Sequence, residues 1–173
     1  MALMAAHGEI TPTPVAAIFA DTKAEPKAVY DWLDWLGSVI SDPAKVEHPI
    51  PIKRVTFSNL RDDIGASRPT GKFKKIPIPA FIKLEDDGGW RKGGLLRRQC
   101  TTDYKIKPII KDLRKTLGIF NKRTPNKILV SQWIGISTDE AIRMKPSREK
   151  FIEHRWPLIE KGINRRDCIR WMQ

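Results

Sequence analysis

The sequence lacks most of the features that assign a chain to a function class directly. Only two of its 173 residues are cysteines, too few for a disulfide framework or for a four-ligand metal site. No run of 18 apolar residues is present, so no membrane span is expected. The three histidines show no ligand spacing, and no serine, histidine and acid arrangement indicates a hydrolase. These absences favour a soluble protein in a reducing compartment, with the cytoplasm as the expected location.

Familiar phosphate-binding loops are also missing. The sequence contains neither a Walker loop nor a Gly-x-Gly-x-x-Gly motif. The glycine-rich stretch at 88–94 has the wrong spacing, and no strand is expected before it. Nucleotide binding, if it occurs, must therefore be inferred from other residues.

Positive charge is what the sequence has in abundance. Lysine and arginine number 32 against 20 acidic residues, a formal net charge of +12. Such a surplus favours polyanionic partners, which include nucleic acid, phosphorylated nucleotides and sulfated compounds. The densest stretch, 97–123, holds nine basic residues and two acids. Solvated helix faces would account for the same pattern, so charge alone does not choose a partner.

Hydrophobic patterns predict one α/β domain over residues 1–173. Apolar runs predict strands at 14–20 and 50–60, with an amphipathic helix at 26–37 between them. The apolar positions of that helix are Val29, Trp32, Leu33 and Leu36, and Gly37 is expected to end it. This order is typical of a parallel βαβ unit, and a third strand is predicted at 127–136.

The remaining segments are predicted as loop and helix. A long irregular loop is expected at 61–96, where prolines and glycines interrupt every pattern. A helix is predicted at 106–117. The region 137–173 is predicted as helical, with a capping box from Ser137 to Glu140, a helix over 148–160 and a third helix capped at Asn164–Asp167.

Asp21 and Thr22 directly follow the first predicted strand. Ligands of open parallel sheets bind beyond the carboxyl ends of the strands, where an aspartate accepts from ribose or base donors and a threonine offers a hydroxyl. Asp21 would also suit a purely structural role in turning the chain towards the helix. The local sequence leaves both interpretations open.

Two further groups are candidates for binding anions. Arg97 and Arg98 precede a predicted helix, and forked guanidinium groups at a helix amino end suit phosphate or sulfate. Gly135 and Arg143 belong to a turn and helix start after the third predicted strand. Asp139 in the first turn of that helix would repel an anion, so this second group is divided evidence.

Three segments in order resemble one known family. The patterns FADT-x3-P-x2-VYDWL, RQC-x4-KIKP and WIGIS-x-DEA-x-RMKPS are similar to those of the phosphoadenosine phosphosulfate reductase-like proteins. These belong to the adenine nucleotide alpha-hydrolase-like group, or PP-loop ATP pyrophosphatases. The resemblance covers nearly the whole chain, and its closing stretch looks like the tail of phage and bacterial members. Lys23 stands where the family's Asp-Thr-Gly pattern has glycine.

The resemblance implies a fold, a ligand and a set of binding residues. The implied fold is a Rossmann-like parallel sheet flanked by helices. The implied ligand is ATP or an adenosine phosphosulfate-type nucleotide. The residues implied to bind it are Asp21, Thr22, Arg97, Arg98, Lys105, Gly135 and Arg143.

The sequence also departs from the family at both ends. The family's first strand and its Ser-Gly-Gly-x-x-Ser phosphate loop have no counterpart, and neither does the Cys-x-x-Cys-Pro of many phage-type members. Zinc or an iron–sulfur cluster at Cys100 and Cys168 is therefore expected only in a longer form. We expect a domain truncated at both ends, with nucleotide binding predicted, catalysis not predicted, and self-association favoured by open sheet edges.

A second interpretation is a basic nucleic-acid-binding module without catalysis. The Lys/Arg-rich stretches 97–123 and 141–173, together with six tryptophans, suit contact with a phosphate backbone and some base stacking. The residues alone leave both interpretations open.

Overall fold

A computed structural model describes residues 1–65, 84–86, 89–91 and 101–173. Helices and strands alternate along these ranges, which confirms the predicted α/β class. The elements are α1 (Ala2–Ala6), β1 (Ala17–Ala20), α2 (Lys27–Ile40), β2 (Ile52–Val55), α3 (Leu60–Gly65), β3 (Leu84–Asp86), β4 (Gly89–Arg91), a π-helical segment (Thr101–Ile106), α4 (Lys107–Thr116), β5 (Val130–Trp133), a 3-10 helix (Thr138–Arg143), β6 (Ile152–Arg155), α5 (Pro157–Glu160) and α6 (Arg165–Trp171).

The predicted parallel βαβ unit is present at the start of the chain. β1 pairs with β2 in parallel, from Ala17 opposite Ile52 to Ala20 opposite Val55. α2 connects them and buries Leu33, Leu36 and Ile40. These side chains recur at helical spacing, so one face of α2 is continuously apolar towards the core.

Two details of the α2 prediction are wrong. The helix continues through Gly37 to Ile40, because Ile40 is fully buried and its carbonyl accepts a hydrogen bond from the Ile50 amide. Gly37 faces the sheet, where an added Cβ would lie 3.7 Å from Ile52 Cδ1, an ordinary van der Waals distance. Trp32 was assigned to the buried face but is 51% exposed, next to Trp35 on the solvent side.

A second parallel pair lies in the carboxyl-terminal region. β5 pairs with β6, from Val130 opposite Ile152 to Trp133 opposite Arg155. The helix predicted at 148–160 is therefore wrong over its middle, and only its last turn forms a helix, α5. Phe151 and Ile152 are both buried, and an apolar run this short does not distinguish a strand from a helix by its period.

The strands in the described ranges form three separate two-stranded sheets. The third predicted strand exists as β5, but it is hydrogen-bonded to β6 and not to β1 or β2. β3 and β4 form an antiparallel pair.

The predicted irregular loop at 61–96 is only partly described. Its first residues belong to α3, whose start is supported by Asn59, since its side chain accepts a hydrogen bond from the Arg61 amide. β3 and β4 also lie within it. The rest of this predicted loop lies outside the described residues.

Of the two helix caps predicted in the carboxyl-terminal region, one is absent and one is present. Ser137 makes no capping hydrogen bond, and the element that follows it is a 3-10 helix of six residues. The box predicted at α6 is confirmed: the Asn164 side chain accepts from the Asp167 amide, and the Asp167 carboxylate accepts from the Asn164 amide. The region is thus not helical throughout, because β6 interrupts it.

The main hydrophobic core joins both ends of the chain. Its buried members come chiefly from α1 and α2, with Ile10, Val46, Ile50 and Leu158. Trp133, Ile163 and Trp171 pack against it from the carboxyl-terminal elements. None of the helices in the described part of the chain is long and apolar enough to cross a membrane.

Candidate functional site

The candidate site lies at the carboxyl end of β1. Asp21 is buried there and its carboxylate accepts from three donors. Its Oδ1 accepts from the Lys23 amide and from the Tyr30 hydroxyl, both at 2.8 Å. Its Oδ2 lies 2.8 Å from the Lys23 ammonium. This arrangement closes the turn and ties it to α2, which is the structural role left open for Asp21.

These contacts determine the protonation of Asp21. Burial alone would raise the pKa of this carboxyl, but the hydrogen bonds from Lys23 and Tyr30 outweigh it and lower the pKa. The same interaction raises the pKa of the Lys23 ammonium. Burial and the bond to Asp21 raise the pKa of Tyr30. Asp21 is therefore a carboxylate at neutral pH, held by a protonated lysine and tyrosine.

Lys23 has an uncommon backbone conformation. Its φ of 60° lies in the left-handed region, which costs a non-glycine residue roughly 1–2 kcal/mol. Among the described residues, Lys23 is the only non-glycine residue with a positive φ. The ion pair and the amide bond to Asp21 hold Lys23 in this turn.

Thr22 and Lys105 meet at one carboxylate oxygen. The Thr22 hydroxyl donates to Glu25 Oε1 at 3.2 Å, and the Lys105 ammonium lies 3.0 Å from the same atom. Two residues that the sequence predicted as binding residues are thus brought together, through a third that it did not predict. Lys105 is on the π-helical segment, which contacts β1.

An aromatic pair closes the other side of the site. Phe57 follows β2 and stands edge-on to Tyr104, with ring centroids 5.5 Å apart. Tyr104 is buried and its hydroxyl donates to Asp63, while Phe57 is 59% exposed. Burial, followed by the bond to Asp63, raises the pKa of Tyr104.

One backbone bond links the aromatic pair to the polar residues. The Leu60 amide donates to the Thr22 carbonyl at 3.0 Å, so the segment that carries Phe57 is fastened to the end of β1. Thr22 contacts Glu25, Glu25 contacts Lys105, and Tyr104, the chain neighbour of Lys105, contacts Phe57, whose segment returns to Thr22 through Leu60. We call Thr22, Glu25, Lys105, Tyr104 and Phe57 the β1-end cluster.

The Gly135 and Arg143 candidates lie apart from this cluster. Arg143 pairs with Glu140, and Gly135 approaches Met1, whose Cε lies 3.3 Å from the position of an added Cβ. No hydrogen bond or ion pair among the described residues connects either of them to Asp21.

The turn after β5 already contains an internal anion. Asp139 accepts from the Ser137 hydroxyl and from the Arg165 amide, the latter at 2.6 Å. The Arg165 amide bond, opposed by partial desolvation, lowers the pKa of Asp139. The Asp139 carboxylate therefore bonds the first amide of α6, while the Thr138 and Glu140 amides, where the sequence suggested a phosphate, donate to the carbonyls of Ile163 and Ser137.

The other predicted residues are described only in part. Arg97, Arg98 and Cys100 lie outside the described residues. Cys168 is a half-buried free thiol packed against the main core. Within the described ranges no three histidine, cysteine, aspartate or glutamate residues are grouped as metal ligands.

Sequence reasoning missed Glu25, Phe57 and Tyr104 as site residues. Two weak signals were available: Phe57 lies near the carboxyl end of the strand predicted at 50–60, the edge expected for ligands, and Tyr104 lies just before the helix predicted at 106–117. The pairing of Glu25 with Lys105 joins residues far apart in the chain, and no local pattern encodes it.

Comparisons of this chain with models of protein families, with curated proteins and with solved structures found no match.

Proposed function

We propose that this chain is a phosphoadenosine phosphosulfate reductase-like protein of the PP-loop type, which binds an adenine nucleotide at the β1-end cluster. The proposal includes a Rossmann-like parallel sheet as the fold of the domain. The observation that carries it is the parallel βαβ unit, whose carboxyl edge brings Thr22, Lys105 and an exposed aromatic ring together.

The backbone at Lys23 adds independent support. The resembled pattern has glycine at this position, and glycine is the residue that adopts a positive φ without a steric penalty. Lys23 has a φ of 60° at that point of the turn. A glycine at this point of the resembled motif would adopt this conformation without strain, which supports the proposal although the residue differs.

The contacts assign different roles within the site. The Lys105 ammonium would bind the phosphate or sulfate group, since it is half exposed and pairs with a single carboxylate. The exposed face of Phe57 would stack on the adenine. Asp21 would shape the turn and not contact the nucleoside, because both of its oxygens are already engaged.

The proposal is limited to binding. The carboxylates of Asp21 and Glu25 are both held by lysine ammonium groups, so neither is placed as a general acid or base. Arg97 and Arg98 remain proposed anion ligands on sequence grounds. A zinc or iron–sulfur site is not proposed, because the described residues form no group of three or more possible metal ligands.

Calorimetric titration with ATP and with adenosine 5′-phosphosulfate tests the proposal. Lys105→Gln removes the cation of the cluster, and we expect it to weaken nucleotide binding roughly tenfold, in line with the loss of one charged hydrogen bond. Phe57→Ala should weaken binding of ATP but not of pyrophosphate, because only the base would stack.

Lys107→Gln is the matched control, since Lys107 is two residues away, at the start of α4, and pairs with Asp103 of the preceding π-helical segment. It should leave the nucleotide affinity unchanged. Absence of nucleotide binding by the folded chain, or an equal loss in both lysine variants, would contradict the proposal.

A further inference from the structure

A second surface of the molecule carries many cations that form no ion pair with a carboxylate of the described residues. It consists of the outer side of α4, the turn that follows it and the two segments that lead into β5 and β6. Its exposed cations without an ion pair among the described residues are Lys111, Lys115, Lys122, Arg123, Lys127, Arg148 and Lys150. We call these seven residues the basic face.

Arg114 holds the parts of the basic face together. Its guanidinium donates to the carbonyls of Ile119 and Lys122 and to the hydroxyl of Thr124. The same group lies over the ring of Phe151, 5.8 Å from its centroid. The turn that carries Lys122 and Arg123 is thereby fastened to the segment before β6, which carries Arg148 and Lys150.

Backbone bonds fix the remaining part of the face. The Phe151 carbonyl accepts from the amides of Leu129 and Val130, so the segment after Lys127 also meets Phe151. Arg114 thus acts inside the fold, while its neighbouring cations point to solvent. Three separate segments that carry these cations are thus joined through Arg114 and Phe151, which a single solvated helix face would not require.

The acids near this face do not neutralise it. Between Lys107 and Lys127 the only acidic residue is Asp112, which is largely buried and lies 2.6 Å from the Lys53 ammonium of β2. Glu149 is the only acid between Arg148 and Lys150, and it forms no ion pair with a described cation. The face therefore presents a surplus of positive charge to solvent.

An aromatic ring lies within the basic face. Phe120 is 41% exposed, and the Lys115 ammonium lies 5.5 Å from its ring centroid. A ring exposed among cations suits stacking on a nucleobase whose phosphates contact the neighbouring lysines and arginines. Unpaired bases are available for this only in a single strand.

We propose that the basic face binds single-stranded nucleic acid, with its cations on the phosphates and Phe120 stacked on a base. This site is separate from the nucleotide site of the β1-end cluster and uses none of its residues. Binding would be largely independent of base sequence, because phosphate contacts and stacking occur with every base.

The test is fluorescence anisotropy of labelled oligothymidylate with the full chain, measured across salt concentrations. Lys122→Gln combined with Arg123→Gln removes two cations whose side chains make no hydrogen bond or ion pair with a described residue. We expect roughly tenfold weaker binding at about 0.1 M salt, and a salt slope smaller by about 1.4, or 0.7 for each phosphate contact of a single strand.

Lys27→Gln combined with Lys45→Gln is the matched control. It changes the net charge equally, but both lysines are on the βαβ side, paired with Asp31 and Asp42. It should change affinity less than about twofold. Equal losses in the two double variants would show an effect of net charge and overturn the proposal.

Phe120→Leu separates nucleic acid from other polyanions. It should weaken oligothymidylate binding by roughly fivefold or more while the salt slope stays the same, since stacking releases no counterions. It should leave the affinity for heparin unchanged. Binding of heparin as tight as that of oligothymidylate, with no effect of Phe120→Leu on either, would overturn the assignment to nucleic acid.

Discussion

The two ends of the chain use charge in opposite ways. Residues 1–65 contain nine acids and six bases, and five of those bases form ion pairs with described carboxylates: Lys23, Lys27, Lys45, Lys53 and Arg54. Residues 101–173 contain 17 bases and eight acids, and only Lys105, Lys107, Arg143, Arg155 and Arg170 are paired among the described residues.

This difference separates two uses of a charged side chain. At the end of β1, Asp21 is buried and Lys23 is half exposed. Their ion pair fixes the geometry of a turn. On the basic face, the cations are exposed and form no ion pair with a described residue, so they act through the field that they create together. Residues 1–65 thus carry a net charge of −3 and residues 101–173 a net charge of +9, so the positive charge of the chain does not come from the βαβ unit.

The largest expected effect tests whether the basic region is as firmly folded as the βαβ unit. Phe151 is fully buried beneath Arg114, and Ile50 is fully buried in the main core. We expect Phe151→Ala to lower the free energy of unfolding by about 3–5 kcal/mol and Ile50→Ala by about 2–5 kcal/mol. Urea denaturation followed by circular dichroism measures both.

A loss below about 1 kcal/mol for Phe151→Ala, with the expected loss for Ile50→Ala, would break the comparison. It would mean that the basic region is attached loosely, whatever the density of its contacts.

A medium effect is expected from the buried carboxylate of the βαβ unit. Asp21→Asn keeps an acceptor oxygen but removes the charge, and we expect a loss of about 1–2 kcal/mol in unfolding free energy at pH 7. Because the folded-state pKa of Asp21 is lowered, this stabilisation is complete above the unfolded pKa of about 3.9 and is lost as the pH falls through the folded pKa.

The difference between the parent chain and Asp21→Asn should therefore shrink below about pH 4, as measured by urea denaturation at several pH values. Asp31→Asn is the control, since Asp31 forms an exposed pair with Lys27 and should cost less than about 0.5 kcal/mol. A difference for Asp21→Asn that is constant with pH would contradict the assigned ion pair.

The smallest expected effect is the change in stability when cations of the basic face, or cations of the βαβ unit, are neutralised. Lys122→Gln with Arg123→Gln removes repulsion among unpaired charges, so stability should stay unchanged or rise by a few tenths of a kcal/mol, about 0.3. Lys27→Gln with Lys45→Gln removes two exposed ion pairs and should lower stability by about 0.5 kcal/mol. Thermal melts at low and high salt measure both, and the two values should converge at high salt.

The sequence predicted the βαβ unit well because its periodicity is strong. α2 has its apolar residues at helical spacing, and the flanking runs are short and apolar. The predicted end of α2 was wrong because tertiary packing determines it. α2 continues to Ile40 because the Ile40 side chain is buried in the core. β6 was missed because two adjacent buried residues fit either a strand or a helix.

The candidate site was predicted in position but not in chemistry. Asp21 and Thr22 do follow the first strand, yet their hydrogen bonds are made within the protein. Whether Asp21 faces a ligand or braces a turn depends on Tyr30 and Lys23 reaching it, and spacing alone does not specify side-chain direction. The Glu25–Lys105 pair depends on how the π-helical segment packs against β1, which is a property of the whole fold.

The π-helical segment has a consequence for insertions and deletions. A π-helical turn holds more residues than an α-helical one, and each residue of an α-helix turns the chain by about 100°. A deletion of one residue between Thr101 and Ile106 would allow α4 to continue smoothly towards its amino end. It would also rotate Tyr104 away from Phe57 and Lys105 away from Glu25, so the length of this segment matters as much as its composition.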